Sequence, residues 1–198
     1  MSSTDSINKI VSMLITIGAA QFLFMMHIAE FLFPSYSVSN NYISDLGAMC
    51  RGGVCIIYQP SSMIFNFSIV ILGIMITLSS YYIYKLFRSF ALTSVVFLAG
   101  VGSIGVGVFP ETYGVLHTIS SIITFIPASF IPLVASFVIR DSFFRIFSVA
   151  MSTLSIISLA LFISRNDLGL GIGGIERLIV YPILFWALFF GGYVLRHK

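Results

Sequence analysis

The sequence predicts an all-α, polytopic membrane protein: a bundle of six transmembrane helices with both termini in the cytoplasm. Hydrophobic residues make up 58% of the 198-residue chain and charged residues only 9%. The mean hydropathy of +1.05 is far above that of soluble domains. Several apolar stretches have the length of about 20 residues that a helix needs to cross a bilayer. No room is left for a separate soluble domain, so one transmembrane domain is expected over residues 1–198.

Six apolar stretches are the expected helices. A helix satisfies its own backbone hydrogen bonds where lipid offers none, so helix is favoured over strand in each stretch. The expected ranges are about 10–33, 60–84, 89–108, 117–139, 142–164 and 175–195. A cleaved signal peptide is the alternative for the first stretch, because Gly18, Ala19 and Ala20 follow a short apolar run. Cleavage there would leave an apolar stub too short to span, so a membrane helix is predicted.

Small and polar residues within these stretches indicate where helices face one another. Asn66 and Ser68 are expected to face protein rather than lipid tails. Gly100, Ser103 and Gly107 share one face of the third helix, at a spacing that permits close approach of a neighbour.

The orientation follows from the basic residues on the short connections, because cytoplasmic loops are enriched in Lys and Arg. One side carries Lys9, Lys85, Arg88, Arg140, Arg145, Arg196 and Lys198. The other side carries Arg51, Arg165 and Arg177. The first side is therefore predicted to be cytoplasmic, which places the connections at about 34–59, 109–116 and 165–174 outside.

Charge excludes one large class of partner. The net charge of +3 comes from ten basic and seven acidic side chains that are dispersed along the chain. Such a distribution gives no surface that could follow a phosphate backbone, so nucleic acid is not expected as a partner. Membrane lipids are the expected partners, other membrane proteins are a second class, and the expected location is the cell membrane. The sequence predicts no cofactor.

The stretch Asn40–Gly47 concentrates hydrogen-bonding groups outside any predicted span. Ser44 and Asp45 are its reactive candidates. A serine nucleophile would need a positioned base, for which His117 is the candidate on the same side, but no Gly-x-Ser-x-Gly sequence is present. Capping of a short helix or turn by Ser44 or Asp45 is the favoured interpretation.

Two histidines and a carboxylate lie near the outer ends of predicted helices. His27 and Glu30 are three residues apart and share a face of the first helix, so they are expected to form a polar pair. With His117 they would supply the minimum ligand set for a catalytic metal. No His-Glu-x-x-His sequence supports that reading, so no metal is predicted. Acid–base or ligand-binding chemistry and helix pairing stay open for these residues.

Glu176 and Arg177 open the sixth helix after the glycine-rich run 168–174. Free amides at a helix start can receive an anion, and Arg177 could clamp a phosphate or a carboxylate. The alternative is that Glu176 favours the positive end of the helix while Arg177 pairs with an acid of a neighbouring loop.

Cys50 and Cys55 flank Arg-Gly-Gly-Val on a connection predicted to be outside. The glycines allow a tight turn, so a disulfide that closes a small ring is expected. A thiolate metal site is disfavoured because the chain has no further cysteine.

Several motifs together resemble the domain-of-unknown-function family 998. They are Tyr36 with Asn41-Tyr-Ile-Ser-Asp-Leu-Gly47, Ile64-Phe-Asn-Phe-Ser68 with Gly73, Gly105-Val-Gly-Val-Phe-Pro-Glu111 with His117, and Gly173-Gly-Ile-Glu-Arg177 with Tyr181, Pro182 and Trp186. The resemblance implies a small multi-spanning membrane protein and transfers no catalytic residue. The first loop is also similar to the Frag1/DRAM/Sfk1 membrane proteins, some of which are linked to lipid handling, although Leu46 stands where that motif usually has Thr.

Three function classes follow from these residues. The first is an outward-facing polar pocket that binds or modifies a lipid headgroup or another amphiphile. Its lining is expected to bring Ser44 or Asp45, His117, Glu176 and Arg177 within hydrogen-bond reach, because partly buried charges must be paired. The second is a non-catalytic structural or accessory subunit of a membrane complex. A small transporter is third, since Asn66 is the one strongly polar residue that is expected deep in the bilayer. These residues do not decide whether the protein is an enzyme.

Overall fold

Six long helices are observed in the described part of the chain. The structure, a computed structural model, describes residues 3–196, with side chains from residue 5 onward. Every one of these helices is long and apolar enough to cross a membrane, which confirms the predicted fold class. They are α1 (Ser3–Leu32), α2 (Ser61–Phe87), α3 (Phe90–Val108), α4 (Val115–Val138), α5 (Ser142–Ile163) and α6 (Ile172–Arg196).

α1 and α6 begin before their predicted first residues. α1 begins at Ser3 rather than near residue 10, because polar residues continue the helix ahead of its apolar stretch. α6 begins at Ile172 rather than near residue 175, so Gly173 and Gly174 of the glycine-rich run lie inside it. Lys198, which entered the orientation prediction, lies outside the described residues.

Consecutive helices pack against one another, and α6 also packs against α1, so the six helices form a closed ring. Connections 33–60, 109–114 and 164–171 meet at one end of this ring, which we call the loop face. There the backbone N–H of Gly173 donates to the carbonyl of Ser39 at 2.8 Å, and the first and second connections contact each other.

The first connection contains a 3-10 turn (Ser44–Leu46) followed by the antiparallel strands β1 (Met49–Arg51) and β2 (Val54–Ile56). Gly52 and Gly53 form the turn of this hairpin with φ values of 58° and 83°, which glycine adopts without steric cost. Cys50 lies opposite Cys55, and the two form a disulfide. The predicted disulfide is therefore confirmed.

Glycines allow α2 and α3 to approach closely. A Cβ atom added at Gly73 would lie 2.6 Å from the backbone nitrogen of Ile104, and one at Gly107 would lie 2.6 Å from the carbonyl oxygen of Asn66. Gly100 likewise abuts Thr77 of α2. The predicted close approach at Gly100 and Gly107 is thus confirmed, whereas Ser103 faces the interior of the ring.

Serine hydroxyls connect α4, α5 and α6. The hydroxyls of Ser129 and Ser155 are 2.9 Å apart, and Ser155 also donates to the carbonyl of Ile179 at 2.9 Å. Ser148 accepts a 2.8 Å hydrogen bond from the indole of Trp186. Such bonds between small polar residues are typical of helix contacts in membranes, and they hold α5 beside α4 and α6 below the loop face.

Candidate functional site

A cavity of about 580 Å³ opens at the loop face, between α4, α5 and α6. The 3-10 turn and hairpin of the first connection and the connection 109–114 contribute to its wall. We call it the outer cavity. Its polar and aromatic lining residues are Tyr42, Ser44, Glu111, His117, Thr118, Ser121, Phe125, Phe162, Arg165 and Glu176.

A second cavity of about 110 Å³ lies within the helix ring and is lined mainly by apolar side chains, including Phe22, Phe65 and Leu184. We call it the inner cavity. Four residues line both cavities, namely Ser44, Ser121, Phe125 and Glu176. The polar space at the loop face therefore adjoins an apolar space inside the ring.

The outer cavity also borders the lipid-facing surface of the helices. Ile122 and Ile126 of α4 line it and are 51% and 43% exposed, and Ile163 of α5 is 68% exposed. Exposed apolar side chains on a transmembrane helix face acyl chains. The outer cavity therefore adjoins the apolar outer surface of α4 and α5.

Glu176 is the most buried acid of the lining, with 3% exposure. It lies in the first turns of α6 and accepts a 2.5 Å hydrogen bond from the backbone N–H of Ile43. This bond joins α6 to the residue before the 3-10 turn, and it places the carboxylate at the boundary between the outer and inner cavities. A buried carboxylate there is costly unless hydrogen bonds or a cation compensate for its lost hydration.

His117 has one ring nitrogen fixed and one available. Its Nδ1 lies 2.8 Å from the carbonyl oxygen of Phe109. A carbonyl oxygen can only accept, so Nδ1 carries the hydrogen and the Nε2 of the neutral ring is an acceptor. Nε2 lies 3.4 Å from the hydroxyl of Ser121. Nε2 of His117 is therefore an acceptor at the lining of the outer cavity, next to the Ser121 hydroxyl.

Glu111 connects the second connection to the first. It accepts hydrogen bonds from the Ser44 hydroxyl at 2.8 Å and the Cys50 backbone N–H at 3.0 Å, and Arg51 lies 3.3 Å from its Oε2. Burial raises the pKa of the Glu111 carboxyl, and the nearby Asp45 acts in the same direction, against the donors that lower it. The contacts of Glu111 with Cys50 and Arg51 hold the hairpin over the outer cavity.

Asp45 stabilises the first connection instead of facing a cavity. It is fully buried and accepts hydrogen bonds from the Asn41 side chain at 2.9 Å and the Tyr42 backbone N–H at 3.0 Å. Arg51 forms an ion pair with it at 2.8 Å. The favoured interpretation of Asp45 as the residue that organises a turn agrees with these contacts.

Arg177 also lies outside the lining of both cavities. Its guanidinium forms an ion pair with Glu30 at 2.5 Å and donates to the Tyr36 hydroxyl at 2.8 Å. It donates as well to three backbone carbonyls, those of Val38, Asn41 and Gly173. Burial raises the pKa of Tyr36 strongly, so that side chain stays a neutral phenol.

The prediction that Ser44 or Asp45, His117, Glu176 and Arg177 come within hydrogen-bond reach in one pocket is therefore wrong in part. Ser44, His117 and Glu176 line one cavity, whereas the two terminal guanidinium nitrogens of Arg177 bond to α1, the first connection and Gly173. A clamp by Arg177 on a ligand phosphate does not fit this arrangement. The sequence could not reveal this, because it does not show which way a buried arginine turns.

The predicted pair of His27 and Glu30 is also wrong. Glu30 binds Arg177, whereas His27 is exposed, lies 2.7 Å from the carbonyl of Leu23 and stacks on Tyr181. His27 and Glu30 are three residues apart and lie on one side of α1, but Arg177 of α6 forms the ion pair with Glu30 instead. Among the residues whose side chains are described, no group of three His, Cys, Asp or Glu could hold a metal ion.

Sequence reasoning did not assign Tyr42, Ser121, Phe125, Phe162 and Arg165 to a site. Ser121 follows His117 by one helical turn, which was a usable signal. Phe125 and Phe162 look like ordinary residues of a membrane span, so nothing in the sequence distinguishes them from lipid-facing ones.

Six membrane-length helices around an apolar interior, with a polar cavity at one end, define a multi-pass membrane protein. The sequence model of the family described as "Protein of unknown function (DUF998)" matches residues 16–193. The chain belongs to that family, as its motifs indicated. Neither a curated protein nor a solved structure matches the chain significantly. The likeness of the first loop to Frag1/DRAM/Sfk1 proteins stays a prediction.

Proposed function

We propose that this protein binds a lipid headgroup or another amphiphile in the outer cavity. The observation that carries the proposal is the continuity of three surfaces: a polar lining at the loop face, an apolar inner cavity behind it, and exposed isoleucines at its border. An amphiphile has its polar and apolar parts in the same spatial order. A free polar metabolite would gain nothing from the apolar border.

The lining supports a site for the head of such a molecule. Hydroxyls of Ser44, Thr118 and Ser121 and the ring of His117 offer donors and acceptors within one space. Ligand sites are typically concave and mostly apolar with a few polar groups, and they have volumes of roughly 300–1,000 Å³. The outer cavity is of that kind and size. A proton exchanged with the head would pass through Nε2 of His117, the acceptor nitrogen of that ring in the lining.

Photo-crosslinking in vesicles tests this proposal. The full chain is reconstituted in phosphatidylcholine and phosphatidylglycerol vesicles that contain a phospholipid with a diazirine in the upper part of its acyl chain. Crosslinks are expected on peptides of α4 and α5 that line the outer cavity. Crosslinks spread evenly over the outer surfaces of all six helices would contradict a specific site.

A matched pair of variants sharpens the test. Thr118→Trp fills the outer cavity from an exposed position on α4, and Ile119→Trp adds the same bulk one residue further on, outside the lining. Crosslinking to α5 is expected to fall at least about fivefold in Thr118→Trp, a loss of about 1 kcal/mol or more, and to stay unchanged in Ile119→Trp. Equal effects of the two substitutions would remove the support for the cavity.

A further inference from the structure

The charges around the outer cavity are paired unequally. Arg51 pairs with Asp45 and Glu111, and Arg177 pairs with Glu30. Glu176 takes part in none of the ion pairs found among the described side chains, although Arg177 is its neighbour in sequence. It is nevertheless nearly fully buried. A buried carboxyl without a nearby cation favours its neutral form, and a cation brought by a ligand would favour the carboxylate.

Aromatic rings line the same cavity as this carboxylate. Phe162 lies with its ring centre 5.8 Å from that of Tyr42 and 6.4 Å from that of Phe125, and all three residues line the outer cavity. One face of Tyr42 is already occupied by the guanidinium of Arg51, at 4.6 Å. Aromatic faces attract cations, and quaternary ammonium groups are bound in this way.

An anionic head would fit this lining less well. The lining holds two acids, Glu111 and Glu176, and the basic residues that pair with acids nearby, Arg51 and Arg177, are engaged in those pairs. Arg165 lines the cavity as an exposed residue of the connection 164–171. A phosphate that is accompanied by an ammonium group can therefore be accommodated at Arg165 while the ammonium group pairs with Glu176, whereas a phosphate alone would leave Glu176 without a cation.

We infer that the amphiphile bound in the outer cavity carries an ammonium group in its head, and that this group pairs with Glu176 beside the rings of Phe125 and Phe162. This inference rests on the proposed function and adds the chemical class of the ligand. Zwitterionic phospholipids with ethanolamine or choline heads have this chemistry. Glycerol-headed phospholipids of the same chain length lack it.

Native mass spectrometry of the full chain in detergent tests the inference. The protein is incubated with equal amounts of phosphatidylethanolamine, phosphatidylcholine and phosphatidylglycerol that have identical acyl chains. Each ammonium-headed lipid is expected to be retained at least about tenfold over phosphatidylglycerol, since a charge-assisted contact contributes that much or more. Equal retention of all three lipids, or preference for phosphatidylglycerol, would overturn the inference and leave the proposed function standing. Retention of no lipid would instead contradict the proposed function.

Two isosteric variants assign the preference to its residue. Glu176→Gln keeps an acceptor for the Ile43 N–H and removes the charge, so lipid is still expected to bind, but with a preference reduced about tenfold. Asp167→Asn removes a charge from an exposed residue at the same face, outside the lining, and is expected to keep the preference. A preference that survives in Glu176→Gln would refute the assignment. Should Glu176→Gln fail to fold, Phe162→Leu serves instead, and its expected result is weaker selection of the choline head.

Discussion

A single side chain, Arg177, fixes the position of the first connection on the helix ring. Its guanidinium binds Glu30 of α1, Tyr36 and the backbone carbonyls of Val38 and Asn41. Five donors in a rigid planar group make arginine suited to several acceptors at once. Because Ile43 and Ser44 follow directly in this connection, the same contacts help to position the wall of the outer cavity.

Replacement of Arg177 is expected to be strongly destabilising. Arg177→Met leaves Glu30 without its cation and removes one donor from each of three carbonyls, and removal of one partner from a buried ion pair costs about 3–5 kcal/mol. A clear fall in the melting temperature of the detergent-solubilised protein is expected. Arg165→Met, at an exposed position, is the control and should melt close to the wild type. Similar melting of both variants would show that the Arg177 contacts do not hold the connection.

Glu111 gives a pH dependence of stability whose sign follows from its raised pKa. The native carboxyl keeps its proton to higher pH than the unfolded one, so the native state binds more protons between the two pKa values. The stability that this group contributes is full below its ordinary pKa of 4.5 and is lost as the pH rises through the raised native pKa. Melting curves from about pH 4 to about pH 8 should show this loss in the wild type and a flatter profile in Glu111→Gln. Parallel profiles would contradict the assignment.

At the scale of elements, the contact of α2 with α3 depends on glycines. Gly73→Ala would place a Cβ atom 2.6 Å from the backbone nitrogen of Ile104, so the helices must separate, and overpacking of this kind costs about 1–3 kcal/mol. Gly192→Ala is the matched control on α6, where nothing lies within 4 Å, and it is expected to be neutral or to stabilise by up to about 1 kcal/mol. Melting temperatures in detergent compare the two. A Gly73→Ala variant as stable as Gly192→Ala would show that α2 and α3 are not in close contact at Gly73.

The elements themselves were largely predictable from the sequence, because span length and hydropathy are local properties of a membrane helix. The disulfide was predictable for the same reason, since Cys50 and Cys55 are separated only by a short turn. The partners of Glu30 and Arg177 were not, because they depend on how α1 and α6 are rotated about their axes. The surroundings of Asn66 were not predictable either. It was expected deep in the bilayer, but it lies near the start of α2. Its amide donates to the Ser62 hydroxyl, and its side chain abuts Gly47.

For the whole molecule, the structure groups the three long connections at one face, and the distribution of basic residues predicts that this face is outside. The disulfide of the hairpin lies at the loop face, and disulfides persist in oxidising compartments. Both observations favour the same orientation, which would present the outer cavity to the outer leaflet.

Cysteine labelling of intact cells tests this orientation. The native cysteines form a disulfide, so an introduced cysteine is expected to be the reactive one. Asp167→Cys at the loop face should react with a membrane-impermeant thiol reagent, and Arg140→Cys at the opposite face should react only after lysis. Both positions are exposed. The reverse pattern would place the outer cavity in the inner leaflet.

An experimental density map of the full chain in lipid nanodiscs would show directly whether the outer cavity holds the head of an amphiphile. We expect non-protein density with its compact end beside Glu176 and His117 and an elongated part that leaves between Ile122 and Ile163. A well-resolved map in which the outer cavity contains only water, or in which side chains close it, would contradict this expectation.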